Sequence, residues 1–533
     1  MRAIAIAVCL GLAGLAGAWG QPGNGKACGD LAKVALPHTT VVTAAVTEAG
    51  KLTPPEEAKD AIYGELPAFC RVVAESHPSA DSQIKIEVWL PVAGWNGRFL
   101  GTGNGGFAGS IYYHSMASAV RQGYASAGTD TGHTGTATEA GWALGHPEKV
   151  IDFGSRGVHE MTQTGEALAT AFYGRAPAHR YFSSCSDGGR EALMEAQRFP
   201  ADYDGILAGA PAYNWTHLVS SGIVATKALL GKPASYIPPS KLPAIHKAVL
   251  AQCAAGNPEG YVEDQMQCHF DPGTLLCKGK ETDACLTGAQ VTALKALYAG
   301  ARTKDGKLVD YGQMPGAELG DNGWESWVTG SERGKGAGMA YLTGYFEDMV
   351  YGRKGLNVMK LHLDAALKMA EEKTGRELDA VNPDLSAFSG RGGKLILYHG
   401  WDDPAIPALG TVDYYNSVVA EAGAEKAAKF ARLFLVPGMQ HCALGPGPAS
   451  FGQDGPDDKP PANDAEHNIY LALERWVETG AAPKKVIAEH VEDKGGKSTV
   501  TFSRPLCPYP QAAKYAGTGD RSDAASYVCA VEK

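Results

Sequence analysis

Ser186 stands in the run Arg180-Tyr181-Phe182-Ser183-Ser184-Cys185-Ser186-Asp187-Gly188-Gly189-Arg190. A β-prone stretch there meets a serine, then two glycines, then a helix-forming stretch over 190–198. A serine at the tip of a sharp strand-to-helix turn is the layout of a nucleophile elbow, and the glycines leave the room such a turn needs. The usual pentapeptide is Gly-x-Ser-x-Gly; here Ser184 holds the first position. A serine nucleophile needs a base, and the base needs an acid to orient it. Both follow in the order Ser, Asp, His. His399-Gly400-Trp401-Asp402-Asp403-Pro404 comes after the apolar run 394–398, and Pro437-Gly438-Met439-Gln440-His441-Cys442 comes after the apolar run 431–436. Turns after buried parallel strands lie at the carboxyl edge of a sheet, where sites form. We read Asp403 as the acid ahead of its rival Asp402, His441 as the base, and His399 as a supporting or structural histidine. The chemistry of such a set is acyl transfer.

Two further features bear on that chemistry. Gly101-Thr102-Gly103-Asn104-Gly105-Gly106-Phe107 follows a strand, and its glycines let backbone N–H groups approach a ligand. It lacks the Gly-Lys-Ser/Thr ending of a phosphate loop and the dinucleotide spacing. It reads as half of an oxyanion hole, with a plain glycine turn as the alternative. A cysteine also flanks both the serine and the histidine: Cys185 before Ser186, Cys442 after His441. With Ser186 and His441 in hydrogen-bond reach, the two sulfurs come close enough for a bridge. The alternative is Cys185 as nucleophile with His441 as base. An even set of cysteines in an exported chain argues against a free thiol there.

Around these residues strand and helix patterns alternate along the chain. Strand patterns cover 84–90, 98–101 (the return strand of a hairpin turned at 91–97), 123–128, 179–183, 203–210, 394–398 and 431–436. Helical patterns cover 115–122, 152–173, 190–198, 413–422 and 465–479, the last with Asp464 as N-cap. Alternation of this kind means a doubly wound, mostly parallel α/β sheet. Residues 21–80 read as irregular. From 214 to 388 the rhythm breaks, which we read as an inserted lid domain. The α/β-hydrolase core is then 21–213 with 389–533.

The chain is 44% hydrophobic and 20% charged, with a net charge of −10 and no basic run. That excludes nucleic acid and anionic membranes as expected partners. Residues 1–20 read as a signal peptide: Arg2, an apolar run over 3–15, then small residues for cleavage. No later stretch approaches the length of a transmembrane helix. The expected location is secreted or periplasmic. Of 11 cysteines, Cys9 falls in the leader, and the remaining even set suggests disulfides. Short spacings favour Cys253–Cys268, Cys277–Cys285 and Cys507–Cys529, and Cys28 with Cys70 ties down the N-terminal segment. The absence of any Cys-x-x-Cys pair argues against zinc.

The Cys-Ser…Asp…His-Cys arrangement resembles the tannase and feruloyl esterase family. So do Gly103-Asn104-Gly105-Gly106-Phe107, Thr129-Asp130-Thr131-Gly132-His133, Cys185 to Arg190, Arg198-Phe199-Pro200, Tyr203-Asp204-Gly205-Ile206, Gly209-Ala210-Pro211, His399-Gly400-Trp401 and Gly438 to Cys442. The resemblance implies a secreted serine carboxylic ester hydrolase acting on small esters of aromatic, phenolic acids. Ser186 attacks, His441 moves the proton and Asp403 orients it. Backbone N–H groups of Asp187 and Gly106 hold the oxyanion, and a Cys185–Cys442 disulfide clamps the loops. Asp187 with Gly188-Gly189-Arg190-Glu191 looks more like the bacterial branch that includes the hydrolase of monohydroxyethyl terephthalate. The alternatives are therefore a terephthalate-type ester hydrolase, a catalytically silent binding protein on the same fold, and an acyltransferase. No cofactor is required for the chemistry. The family's lid usually carries a structural calcium after a cysteine, and this chain departs from that motif: after Cys253, only Asn257, Glu259 and Glu263 remain as candidate ligands. The aromatics Trp324, Trp327, Tyr341, Tyr345 and Phe346 are candidates for a wall that stacks on a phenolic ring. Arg333 and Arg353 are candidates for reading a carboxylate, or plain surface residues. The sequence leaves open the acid, the alcohol and the oligomeric state.

Overall fold

Apolar strands too short to bury themselves must stack side by side, and here they do so as one nine-stranded sheet. The computed structural model describes residues 25–54, 61–254, 257–456, 463–494 and 497–531; the leader expected at 1–20 lies outside them. The strands are β1 (Thr39–Thr47), β2 (Phe69–Ser76), β3 (Ile84–Pro91), β4 (Arg98–Thr102), β5 (Ala125–Thr129), β6 (His179–Cys185), β7 (Gly205–Gly209), β8 (Lys394–Gly400) and β9 (Ala431–Val436). Their order in the sheet is β1-β2-β3-β5-β4-β6-β7-β8-β9. From β5 to β9 the pairs are parallel, while β1, β2 and β3 form an antiparallel edge.

The helices that introduce or cover the site are α1 (Tyr113–Arg121), α2 (Gly157–Tyr173), α3 (Asp187–Arg198), α4 (Trp215–Leu230), α5 (Leu242–Cys253), α6 (Gly288–Ala299), α7 (Ala337–Gly344), α8 (Leu363–Ala370), α9 (Ala408–Ala422) and α10 (Ile469–Thr479). One face of the sheet packs Phe99, Ala127 and Phe182 against Met161 and Leu168 of α2. The other packs Leu100, Tyr181, Leu207 and Ile396 against Leu473 and Trp476 of α10. These layers make an α/β fold with helices on both sides of a mostly parallel sheet. Between β7 and β8 the chain leaves the sheet. It forms α4 to α8 and a small antiparallel pair, Ala301–Arg302 with Leu308–Asp310. Trp215, Ile223, Leu342, Tyr345 and Phe346 from this segment pack on Phe107 and Phe153 of the sheet portion.

Several sequence expectations are corrected. Residues 21–80 are not irregular throughout, since they contain β1 and β2. β1 is an edge strand that buries none of its residues fully, which explains its weak pattern. β4 does not pair with β3. β5 lies between them, and Asn96 N–H at the end of the turn donates to Gly123 O just ahead of β5. The hairpin reading had the direction right and the neighbour wrong, because a turn of this length can cross two strand spacings. α3 starts at Asp187 rather than Arg190; glycines in its first turn lowered the helical signal. α10 is capped by Asn468, whose side chain accepts from Leu471 N–H. Asp464 instead closes a turn, accepting from Glu466 N–H and His467 N–H. The tail adds two antiparallel pairs, Val486–Asp493 with Ser498–Leu506 and Gln511–Tyr515 with Tyr527–Val531. Five disulfides join Cys28–Cys70, Cys185–Cys442, Cys253–Cys268, Cys277–Cys285 and Cys507–Cys529.

Candidate active site

β6 ends at Cys185, and the chain turns so sharply that Ser186 sits at φ 68°, ψ −124°. A non-glycine residue there is strained, at a cost of about 1–3 kcal/mol, so the surroundings must hold it. They do so through the backbone: Ser186 N–H donates to Gly209 O at 2.9 Å, and Ser186 O accepts from Ala212 N–H at 3.1 Å. A Cβ at Gly188 would lie 1.9 Å from Ser184 Oγ, and one at Gly189 would lie 2.2 Å from Gly209 O. The serine at the first position of the pentapeptide fits because position 188 carries no side chain.

His441 and Asp403 arrive from the turns after β9 and β8. Ser186 Oγ lies 2.9 Å from His441 Nε2, and His441 Nδ1 lies 2.8 Å from Asp403 Oδ2. With a carboxylate at Nδ1, that nitrogen carries the proton, and Nε2 is left to accept from the serine hydroxyl. Asp403 is fully buried, and its other oxygen accepts from Ala405 N–H and Ile406 N–H. Burial alone would raise its carboxyl, but His441 and His399 beside it hold it below the usual carboxylate range. His399 Nε2 faces Asp403 Oδ2 at 3.2 Å and Ile406 O at 2.9 Å, both acceptors, so it donates there. Its Nδ1 faces the Thr411 hydroxyl at 2.8 Å. Asp402 is turned away: it accepts from Gln265 Nε2 at 2.6 Å, and burial, with Glu318 nearby, pushes its carboxyl well up. The Cys185–Cys442 disulfide, with Cα atoms 5.9 Å apart, ties the turn of Ser186 to the turn of His441.

The glycine loop is fastened by Asn104, whose role the motif itself does not reveal. Asn104 Nδ2 donates to Ser110 O and Thr129 O, Asn104 N–H donates to the buried Glu191, and Asn104 O accepts from Gly188 N–H of α3. Phe107 N–H is engaged with Ala137 O. Gly106 and Asp187 both border the cavity that contains Ser186 and His441. The Asp187 side chain points elsewhere, to a fully buried Arg190 whose guanidinium also donates to Phe153 O and Gly154 O.

Trp327 packs edge-on to His441, with ring centroids 4.9 Å apart. Its indole N–H donates to Asn322, and Asn322 Nδ2 in turn donates to His441 O. Asn322 stands in no recognisable motif of the chain. Trp327 and Tyr341 border the cavity, whereas Trp324, Tyr345 and Phe346 are buried in the packing behind it. The cavity offers about 1300 Å³ of empty space, counting its solvent-open mouth, and among the described residues that line it none is lysine or arginine. Arg333 is turned to Leu230 O, and Arg353 lies over the Tyr351 ring.

The candidate calcium ligands do not come together around a cation. Arg504 lies 3.0 Å from Glu259 and 3.8 Å from Glu263, and Asn257 Oδ1 accepts from Glu259 N–H. A permanently charged guanidinium sits where the two carboxylates would need a divalent ion, so this donor set does not fit calcium, correcting the assignment of Asn257, Glu259 and Glu263.

Comparison with known proteins adds three relatives to this geometry. A family model described as tannase and feruloyl esterase matches residues 70–530. An uncharacterized esterase of Xanthomonas campestris is 41% identical over 94% of this chain and 91% of its own length. The mono(2-hydroxyethyl) terephthalate hydrolase of Piscinibacter sakaiensis is 35% identical over 84% of this chain and 81% of its own. The crystal structure of feruloyl esterase B from Aspergillus oryzae superposes with a TM-score of 0.85 at 30% identity, covering 94% of this chain and 99% of that one.

Proposed function

The chain belongs to the tannase and feruloyl esterase family of carboxylic ester hydrolases, and on that premise we propose that it hydrolyses esters of neutral aromatic acids through an acyl-enzyme on Ser186. The observation that carries this reading is the hydrogen-bonded line Ser186–His441–Asp403 at the wall of a cavity. Ser186 Oγ attacks the ester carbonyl as His441 Nε2 takes its proton. The oxyanion is held by the N–H groups of Asp187 and Gly106, donors that start a helix or sit in a glycine turn and need no rearrangement. His441 then passes the proton to the leaving alcohol. Water, activated by the same imidazole, releases the acid and restores the serine. Asp403 keeps the imidazole oriented and stabilises its charged form. No cofactor enters any of these steps.

The choice of a neutral acid rests on the lining of the cavity. A terephthalate half-ester brings a carboxylate into the site, and burying it needs a paired cation; among the described residues that line this cavity there is no lysine or arginine. The 35% identity to a terephthalate-ester hydrolase supports that class as the second reading. Segment 214–388 is proposed to act as the lid over the site. Export is proposed from the leader and the five disulfides, which fit an oxidising compartment.

The test compares methyl ferulate, methyl gallate and mono(2-hydroxyethyl) terephthalate on the wild-type chain and on Ser186→Ala. The substitution should lower kcat by about 10⁴-fold or more. The neutral esters should exceed the terephthalate half-ester in kcat/KM by at least about tenfold. Undiminished turnover by Ser186→Ala removes the nucleophile assignment, and a preference for the half-ester reverses the substrate reading.

A further inference from the structure

The cavity that holds Ser186 does not stop at the size of an aromatic acid. It is bordered by α4 along the whole helix, from Trp215 at the first residue to Leu229 and Leu230 at the last. Fifteen steps of 1.5 Å make that wall about 22 Å long. At roughly 1.2 Å of reach per bond in an extended chain, a hydroxycinnamoyl methyl ester spans only about 10 Å. Trp215 marks the catalytic end: its ring packs 5.7 Å from Phe107 of the glycine loop. Leu218, Gly222, Ala225 and Leu229 follow Trp215 at steps of three and four, one stripe of the helix, and Leu297 of α6 and Met339 of α7 face the same space.

Several polar residues along this stretch have partners away from the space, while Gln313 Oε1 and the Trp215 indole N–H carry no hydrogen bond within the protein. Ser221 Oγ donates to Leu218 O within the helix, Tyr311 Oη donates to Asp413, and Gln313 Nε2 donates to Pro404 O. Gly222 stands mid-helix, where glycine weakens the helix. An added Cβ there would meet Leu342 side-chain atoms at 3.6–4.0 Å, an ordinary contact distance. The backbone therefore does not require glycine at this position, and a side chain added there would be directed onto the buried Leu342.

We infer that the site is an elongated apolar groove that binds an unbranched alkyl chain of about eight carbons or more, carried on the ester in addition to the group next to the scissile bond. Leu218, Leu229, Leu297 and Met339 form its walls, and the small residues Gly222 and Ala225 lie midway along it. This deepens the esterase reading and rests on it. The same hydrocarbon can come from the alcohol or from the acid, and the two arms of the test separate them.

One arm measures kcat/KM for methyl, butyl, octyl and dodecyl ferulate. The other measures p-nitrophenyl acetate, butyrate, octanoate and laurate. All are assayed below their micelle concentrations on the wild-type chain, Leu218→Trp and Ala225→Phe. A buried methylene is worth up to about fourfold in affinity, so a tenfold rise between the shortest ester and the octyl or octanoyl ester needs only about two methylenes held. The expected result is a rise of at least that size in one arm, with the long-to-short ratio cut by about tenfold or more in both variants. Ratios flat with chain length in both arms overturn the inference, as does a rising series whose ratio neither variant changes. Both outcomes leave the esterase reading standing. That reading fails separately, if Ser186→Ala hydrolyses the short esters as well as the wild type does.

Discussion

Asp402 and Asp403 are neighbours in sequence, both fully buried, and have opposite electrostatics. Asp403 accepts from His441, His399 and two backbone N–H groups and is held ionised; Asp402 meets a single amide and is pushed toward its neutral form. Asparagine mimics a neutral carboxyl and cannot mimic a charged one. Asp403→Asn should therefore lower kcat by roughly 10³–10⁴-fold, since it loses the charge that pairs with the imidazolium and favours the wrong tautomer. Asp402→Asn should stay within about threefold of wild type. Steady-state kinetics on methyl ferulate for both variants is the check. Equal losses would mean that the pair, rather than Asp403, serves the histidine.

The elements meet at the site through a few covalent and polar fastenings. The elbow and the loop after β9 belong to turns 257 residues apart in sequence, joined by Cys185–Cys442. Closing so long a loop restricts the unfolded chain, and losing the bridge costs about 2–5 kcal/mol. If the bridge also sets the distance between serine and histidine, Cys185→Ala/Cys442→Ala should lower kcat by more than about tenfold even where the variant is fully folded. Denaturant unfolding with kinetics on the folded fraction separates the two effects, and an unchanged kcat would reduce the bridge to a stability device. Asn104 plays the corresponding part for the glycine loop. It holds that loop to β5 through Thr129 and to α3 through Gly188, so the two proposed oxyanion donors move together.

For the molecule as a whole, the large core has enclosed many acids. Burial pushes the carboxyls of Asp130, Glu166, Asp310 and Glu474 up to about 7. Burial and then the Asp187 charge push that of Glu191 up to about 8. Between the ordinary carboxyl range and these values the folded chain keeps protons that the unfolded chain has released. Stability therefore falls as pH rises through that window. Asp403, held low, works the other way only in stronger acid. The melting temperature should drop by several degrees from about pH 5 to about pH 8. Thermal scans across that range are the check, and a flat or rising profile would mean that these carboxyls are ionised in the folded state.

The parts legible in the chain alone are those that depend on local backbone demands and chain order. The glycines at 188 and 189 mark a turn that only they fit, buried parallel strands read as continuous apolar runs, and the cysteines beside Ser186 and His441 tell that two distant turns could meet. The family is legible too, because those signals recur as contiguous motifs. β1, the strand order around β5 and the cap of α10 are not, because edge strands carry little apolar pattern and neighbour choice is made by packing across the sheet. Packing settles that Asp403 and not Asp402 faces His441, that Asn104 and Asn322 brace the site, and that Arg504 pairs with Glu259 and Glu263. Each of these depends on side chains brought together from segments tens to hundreds of residues apart. The length of the groove along α4 is of the same kind: the helix is legible in the chain, but a cavity beside it exists only once α6, α7 and the loop of Tyr311 have packed around it.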